Sequence, residues 1–252
     1  MAAEESTAYP LVTTPVSEGG LGFNFKWNMG FMNDTLKYFS TDPYFRSSIH
    51  DTLTFSFTYC FSENYILPLS HDEVVHGKFS LLNKMPGNYQ EKFRNLKAYL
   101  TYIMAHPGKK LLFMGGEFAQ VIEWNDEKGL DFLLLDFPAH REFNEYIQKL
   151  NAFYKEANQL WEKDSAPEGF EWISGDDYSQ NTIGFIRYNK KGDLLVVLCN
   201  FSGNLHENYR FGLPLKGDYE LVLASNEDGA EELVSAEKVP AHHRDYSGVF
   251  TL

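Results

Sequence analysis

The 252-residue chain is poor in positive charge, in cysteine and in long apolar runs, and each shortage removes a class of function. Its 22 Lys and Arg face 35 Asp and Glu, a formal net charge of −13. No basic patch interleaved with aromatic residues occurs, so a nucleic-acid backbone is a poor partner and an anionic membrane surface is disfavoured for the same reason. A neutral substrate is the simplest match. The 2 cysteines, Cys60 and Cys199, lie far apart in sequence in apolar surroundings, lack C-x-x-C spacing and imply no disulfide framework. Neither a signal peptide nor an uninterrupted apolar stretch long enough to span a membrane is present, and the chain reads as cytoplasmic. The sequence holds no H-E-x-x-H and no G-x-S-x-G, which argues against a zinc site and against serine nucleophile chemistry. No metal and no cofactor is expected.

What the chain does have is ring surface. Aromatic residues make up 16% of it, with 21 Phe and 15 Tyr. Such a composition serves a large core, and it also serves a sugar platform, because a pyranose has apolar faces that stack on rings. The length fits one large domain or one and a half small ones.

Along the chain, MAAEEST, YPLVTTP and EGGLGF read as loop, and GFNFKW (22–27) as a short strand. NDTLKYFS (33–40) has helical spacing, and TDPYFR reads as a break opening on an Asx or Thr cap. DTLTFSFTYCF (51–61) fits a strand by alternation, and equally a helix with Leu53, Phe57 and Cys60 or Phe61 inward. ENYILPLS (63–70) reads as a short buried strand, which Pro68 argues is not central to a sheet. NYQEKFRNLKAYLTYIMAHPG is the strongest helix, with Phe93, Leu96, Leu100, Ile103 and Met104 apolar. PGKKLLFMGGEFAQ gives a turn, an apolar run at 111–114 and a Gly-Gly loop. HREFNEYIQKLNAFYKEANQLW forms a second amphipathic helix, with Ile147, Leu150, Phe153, Tyr154 and Leu160 on its apolar side. To about 163 this is an alternating α/β pattern. After Pro167 short strands follow one another between Gly, Asn and Asp turns, the texture of a small antiparallel β domain. The boundary is expected near 164–168.

Polar residues cluster after the apolar runs. LPLSHDEVVHGK (67–78) places His71, Asp72, Glu73 and His76 at the mouth of a strand anchored by Ile66, Leu67 and Leu69, with Gly77 permitting a tight return. In parallel α/β folds, groups beyond the carboxyl ends of strands face the active site. Glu4 and Glu5 form a second cluster, which by position alone reads as a solvated terminus. EFAQVIEWND (117–126) forms a third, where Glu117, Gln120, Trp124, Asn125 and Asp126 could line a cleft with Trp124 as a stacking wall. Paired carboxylates suit glycoside chemistry, since one protonates the leaving oxygen while another stabilises positive charge at the anomeric carbon.

AEEST (3–7), GGLGFNFKWNMGFMNDTLKY (19–38), LPLSHDEVVHGK (67–78) and PGKKLLFMGGEFAQ (107–120) resemble the bacterial 1,4-α-glucan (glycogen) branching enzymes of the α-amylase superfamily. The resemblance covers essentially the whole chain. It implies the C-terminal half of a (β/α)8 barrel, strands 5 to 8, over residues 1–163. A C-terminal all-β antiparallel sandwich over 164–252, lacking its last strand, would follow. It implies formation of α-1,6 branches by cleaving an α-1,4-glucan chain and transferring it to a 6-hydroxyl by retaining double displacement. On this resemblance Glu4 matches the general acid/base, Asp72 the third carboxylate that stabilises the transition state, and His71 a sugar-binding histidine. Glu5 would support them; Glu73, His76 and Lys78 would be supporting groups that also contact the glucan, Trp27, Trp124 and Glu117 would meet it as well, and Phe31 could add to the ring platform. The family's nucleophile, an aspartate in a GFRxDAV-type segment, has no match. The chain is thus expected to be a portion of a longer polypeptide, inactive without an N-terminal half carrying the first four strands. An α-amylase-type hydrolase and a non-catalytic glucan-binding fragment are the alternatives.

Overall fold

The computed structural model describes residues 1–226 and 230–252. Its first part is built on four parallel strands, β1 (Ala2–Ala3), β2 (Phe25–Trp27), β3 (Tyr65–Leu69) and β4 (Lys109–Leu112). They lie side by side in chain order, with Ala3 opposite Lys26, Trp27 opposite Ile66, and Leu69 opposite Leu112.

The helices between them are α1 (Met29–Ser40), α2 (His50–Thr54), α3 (Leu81–Lys84) and α4 (Tyr89–Ala105), and α5 (Pro138–Glu156) follows β4. Helix α1 starts four residues before the expected NDTLKYFS, because Asn28 caps it: its side-chain oxygen accepts from Phe31 N at 2.9 Å. The expected Asx cap at Asp42 is present, accepting from Tyr44 N at 2.9 Å, and a 3-10 helix over Pro43–Ile49 follows it. The ambiguous 51–61 segment is helical, with Leu53, Phe57 and Cys60 buried. A capping box opens α4: the Asn88 side chain accepts from Glu91 N, and the Glu91 carboxylate accepts from Asn88 N.

Pro68 corrects one expectation. Strand β3 runs past it to Leu69 and is flanked on both sides, by β2 and β4. Consecutive strand residues direct their backbone groups to alternate sides. Ile66 O accepts from Asn28 N on the β2 side, and Leu69 O accepts from Phe113 N on the β4 side. Pro68 therefore turns its missing N–H toward β2, beyond the point where β2 has ended, and no ladder bond is lost.

Leu67 and Leu69 pack into one core with Phe31, Tyr38 and Phe39 of α1 and Leu96, Tyr99 and Ile103 of α4. On the other face of the sheet, Phe25, Trp27, Ile66 and Leu111 stay half-buried. The first strands are joined without a helix: between β1 and β2 there is only a 3-10 turn, Val16–Glu18.

From Phe170 the chain is antiparallel: β5 (Phe170–Asp177), β6 (Thr182–Tyr188) and β7 (Leu194–Asn200) form one sheet. Strands β8 (Tyr209–Leu213) and β11 (Tyr246–Phe250) form a second, and β9 (Asp218–Glu220) pairs with β10 (Leu233–Ser235). The period of two is plain in β6 and β7. Ile183, Phe185, Val197 and Cys199 face the helical core, while Ile186, Val196 and Leu198 face Phe211 of the second sheet. Two buried arginines tie the parts together. Arg46 donates to Phe39 O, Thr41 O, Phe201 O and Asn95 Oδ1, and Arg187 donates to Ala105 O, Gly169 O and Asp164 Oδ1.

Candidate active site

Because β1 to β4 are parallel, their carboxyl ends share one edge of the sheet, and the residues that leave them meet there. Glu4 follows β1, Asn28 follows β2, Ser70, His71 and Asp72 follow β3, and Phe113 follows β4. Glu4 and Asp72 thus stand two strands apart on the same rim, roughly 10 Å between strand axes. Glu4 is exposed and Asp72 half-buried.

The β3 mouth is held by a short local device. Ser70 caps a 3-10 turn over His71–Glu73, and the Glu73 carboxylate reaches back to Ser70 N and Oγ, the latter at 2.8 Å. Glu73 is only 5% exposed. It therefore fixes the turn and does not reach substrate, which corrects its expected place among the glucan-contacting residues. His71 Nε2 lies 3.4 Å from Asp72 Oδ1, and both side chains are 46% exposed. The imidazole sits beside Phe113 and edge-on to Trp124, with ring centroids 5.9 and 5.8 Å away. Phe113 and Trp124 are perpendicular at 5.2 Å, and Trp124 N donates to Val74 O at 2.8 Å. His71, Asp72 and Trp124 are thus brought together from two loops.

The other expected residues fall around this group. Trp27 is half-buried at the end of β2, and Glu117 is half-buried on the β4 loop, where its carbonyl accepts from Asn144 of α5. His76 and Lys78 are exposed. Gly77 has φ 83°, the tight return its position called for. Glu5 turns back on its own loop and accepts from Thr7 N at 2.7 Å, and these Thr7 bonds hold its carboxyl below the ordinary range. Phe31 is a correction: it is 0% exposed and packs on His106 and Tyr102, so it belongs to the core and offers no platform.

Two anchoring residues were not picked out from sequence. Lys26, buried in β2 beside Ala3, donates from Nζ to Thr7 O at 3.0 Å and Tyr9 O at 2.8 Å, so it pins the loop that carries Glu4. Its signal was a charge in the middle of an apolar strand. Glu123 accepts from Gly77 N and Phe79 N at 3.0 and 2.7 Å and lies 3.5 Å from His76 Nδ1. The Phe79 and Gly77 bonds hold its carboxyl below the ordinary range. It ties the β3 loop to the β4 loop, and sequence spacing gave no sign of it.

Behind these loops is a partly open, mostly apolar cavity of about 20 Å³ lined by Leu69, Val74, Leu81, Phe113 and Trp124. That is room for about one water and not for a sugar. Any sugar would lie on the open rim above it. Among the described residues, no group of three or more His, Cys, Asp or Glu could hold a metal ion. No described helix is long and apolar enough to cross a membrane.

Comparison with known proteins gives the class first. The model of the α-amylase C-terminal all-β domain matches residues 172–252. Crystal structures of an Anoxybacillus α-amylase and of the H. orenii α-amylase superpose on the whole chain with TM-score 0.58, at 18% and 12% identity, and each is covered over 51% of its length. The chain thus has the fold of about half of those α-amylases.

Its sequence relatives are more particular. The chain is 52% identical over its whole length to the 1,4-α-glucan branching enzyme GlgB of Halothermothrix orenii, and 55% identical over 90% of its length to that of Bacillus cereus strain G9842. It is similar in sequence to one part of each of those branching enzymes. It spans 41% and 35% of those two proteins.

Proposed function

We propose that this chain supplies the C-terminal half of a (β/α)8 catalytic barrel in a glycogen branching enzyme. Strands β1 to β4 would be the fifth to eighth barrel strands, in a unit ending at residue 163, and residues 164–252 the all-β domain. The observation that carries the reading is the shared rim: Glu4 and Asp72 leave parallel strands of one sheet at the same edge.

On this reading Glu4, protonated, donates to the oxygen of the departing α-1,4-glucan chain. An aspartate from outside these 252 residues, with its carboxyl about 5–5.5 Å from that of Glu4, attacks the anomeric carbon and forms a covalent glucan–enzyme ester as the α-1,4 bond breaks. Asp72 stabilises the positive charge that develops on the sugar, and His71 beside it forms a hydrogen bond with a hydroxyl of the same ring. Glu4 then accepts the proton of a 6-hydroxyl on the acceptor chain, whose oxygen attacks the anomeric carbon, so that the ester to the aspartate breaks as the α-1,6 bond forms. Trp124 and Trp27 flank the rim and offer ring faces to neighbouring sugars. Transfer outruns hydrolysis when the acceptor occupies this rim in place of water. The net charge of −13 suits a neutral glucan.

The test is to join residues 1–252 to the N-terminal portion of the H. orenii relative and assay amylose for new α-1,6 bonds by NMR, alongside reducing-sugar release. The joined protein should branch, and Glu4→Gln should lower the rate at least a hundredfold. The 252-residue chain alone should be inactive. Reducing sugar without branches would favour α-amylase-type hydrolysis. Branching unaffected by Glu4→Gln would refute the assignment of the acid.

A further inference from the structure

The loop that leaves the His71–Glu73 turn carries one residue in a conformation its side chain does not favour. Phe79 has φ 63°, in the left-handed region where a Cβ crowds the backbone and a bulky residue is an outlier. Its ring is 62% exposed, so burial of the side chain does not offset the strain. Backbone strain of this kind persists only where the surroundings impose it, and it gathers at active sites and ligand clamps.

The surroundings here are two charged side chains. Glu123 accepts from Gly77 N at 3.0 Å and from Phe79 N at 2.7 Å, and Lys84 of α3 donates from Nζ to Lys78 O. The backbone on the amino side of Phe79 is thus held by a carboxylate at its N–H groups and by an ammonium at its carbonyl. On the carboxyl side Ser80 caps α3, its Oγ accepting from Asn83 N at 3.3 Å, and Asn83 Nδ2 donates to Val121 O at 2.8 Å. The Cα of Phe79 is fixed from both directions, and the ring it presents is preorganised.

The same clamp ties the ring to the rim. Glu123 is the chain neighbour of Trp124, which stands edge-on to His71 and donates from N to Val74 O. From Asp72 the loop passes Trp124 at Val74 and ends at Phe79, one hydrogen bond and one residue away from Trp124. A phenyl ring carries no hydrogen-bonding group, so it selects a ligand with an apolar face. A pyranose has such a face, and the net charge of −13 disfavours an anionic ligand.

We infer that Phe79 determines the chain-length preference of the rim: its ring takes the apolar face of a glucosyl unit beyond those held at His71 and Trp124, so a chain long enough to reach it binds more tightly than a shorter one. The inference rests on the reading of the rim as a glucan site and names what sets its selectivity. The strained backbone keeps the ring exposed, at a cost in stability that glycine at the same position would remove.

The experiment titrates maltotriose and maltoheptaose into the 252-residue chain by NMR and compares Phe79→Gly, Phe79→Tyr and Trp124→Ala. Phe79→Gly should weaken maltoheptaose binding about tenfold, the scale of one lost ring contact, and leave maltotriose unchanged. Phe79→Tyr keeps a ring and should bind both as the wild type does, whereas Trp124→Ala should weaken both. In urea, Phe79→Gly should unfold at a higher midpoint than the wild type, because the strain goes and little buried surface is lost. A ring that merely supported the loop would give a lower midpoint. That lower midpoint, unchanged maltoheptaose affinity in Phe79→Gly, or equal weakening of both ligands would overturn the assignment. Absence of any maltoheptaose binding by the wild-type chain at millimolar concentration would also overturn it, and the branching assay of the joined protein would then judge the broader reading separately.

Discussion

Replacing Lys26 by methionine tests whether one buried ammonium positions the segment that carries Glu4. Lys26 is 4% exposed, and its Nζ donates to Thr7 O and Tyr9 O, three and five residues beyond Glu4. Each charge-assisted bond contributes about 1.5–3 kcal/mol, and the cost of taking the ammonium out of water offsets part of the sum. Methionine keeps the length and apolar stem, so the net local loss should be about 2 kcal/mol, roughly a 30-fold rise in loop opening. The effect should stay local. Val12 N and Thr13 N are held separately by Glu63 at 2.9 and 2.8 Å, which fixes the far end of the segment. Hydrogen exchange followed by mass spectrometry should therefore show about 30-fold faster exchange in residues 5–10. Peptides from β6 should be unchanged. Unaltered exchange in 5–10 would refute the anchoring role, and a uniform rise through β6 would show that Lys26 supports the fold at large.

Three further outcomes follow from the same contacts. Phe31→Ala should destabilise the protein by about 3–5 kcal/mol in urea unfolding, as a buried ring does and a glucan platform does not; a loss below about 1 kcal/mol would contradict its placement. Asp164 is 5% exposed and ion-paired with Arg187 and Lys109 at 3.0 and 2.9 Å. Asp164→Asn leaves the fully buried guanidinium short of its counter-charge and should cost about 3–5 kcal/mol in the same assay. Glu123 is held below its ordinary 4.5 by the Phe79 and Gly77 N–H groups. Its tether is complete above that value and is lost as pH falls through the lowered one. Amide exchange at Gly77 and Phe79 should accelerate on such acidification and, at neutral pH, in Glu123→Gln; pH-independent protection in the wild type would disprove the tether.

Much of the architecture was readable because it is written in short-range terms. The apolar spacing in α4 and α5, the Asx cap at Asp42 and the alternation in β6 each involve residues within a turn or two. So did the helix-or-strand ambiguity at 51–61, which local spacing could not resolve. The burial of Leu53 and Phe57 against the β5–β7 sheet resolved it. Pro68 misled for the same reason: its tolerance depends on where β2 ends, and β2 lies 40 residues upstream.

The rim divides in the same way. The sequence alone indicated that His71 and Asp72 stand at a strand mouth, because Ile66, Leu67 and Leu69 precede them. Glu73 looked like a substrate contact, since four polar side chains in a row do not announce which one turns inward. Parallel pairing of β1, β2 and β3 set Glu4 on the edge that carries Asp72, and long-range folding drew Glu123 under the Gly77 loop and Lys26 under Tyr9. Those pairings join residues 17 to 46 apart through hydrogen bonds. Side-chain type and local periodicity encode what each short segment can form, whereas partners at such separations are chosen by how the strands stack and which loops they bring into reach.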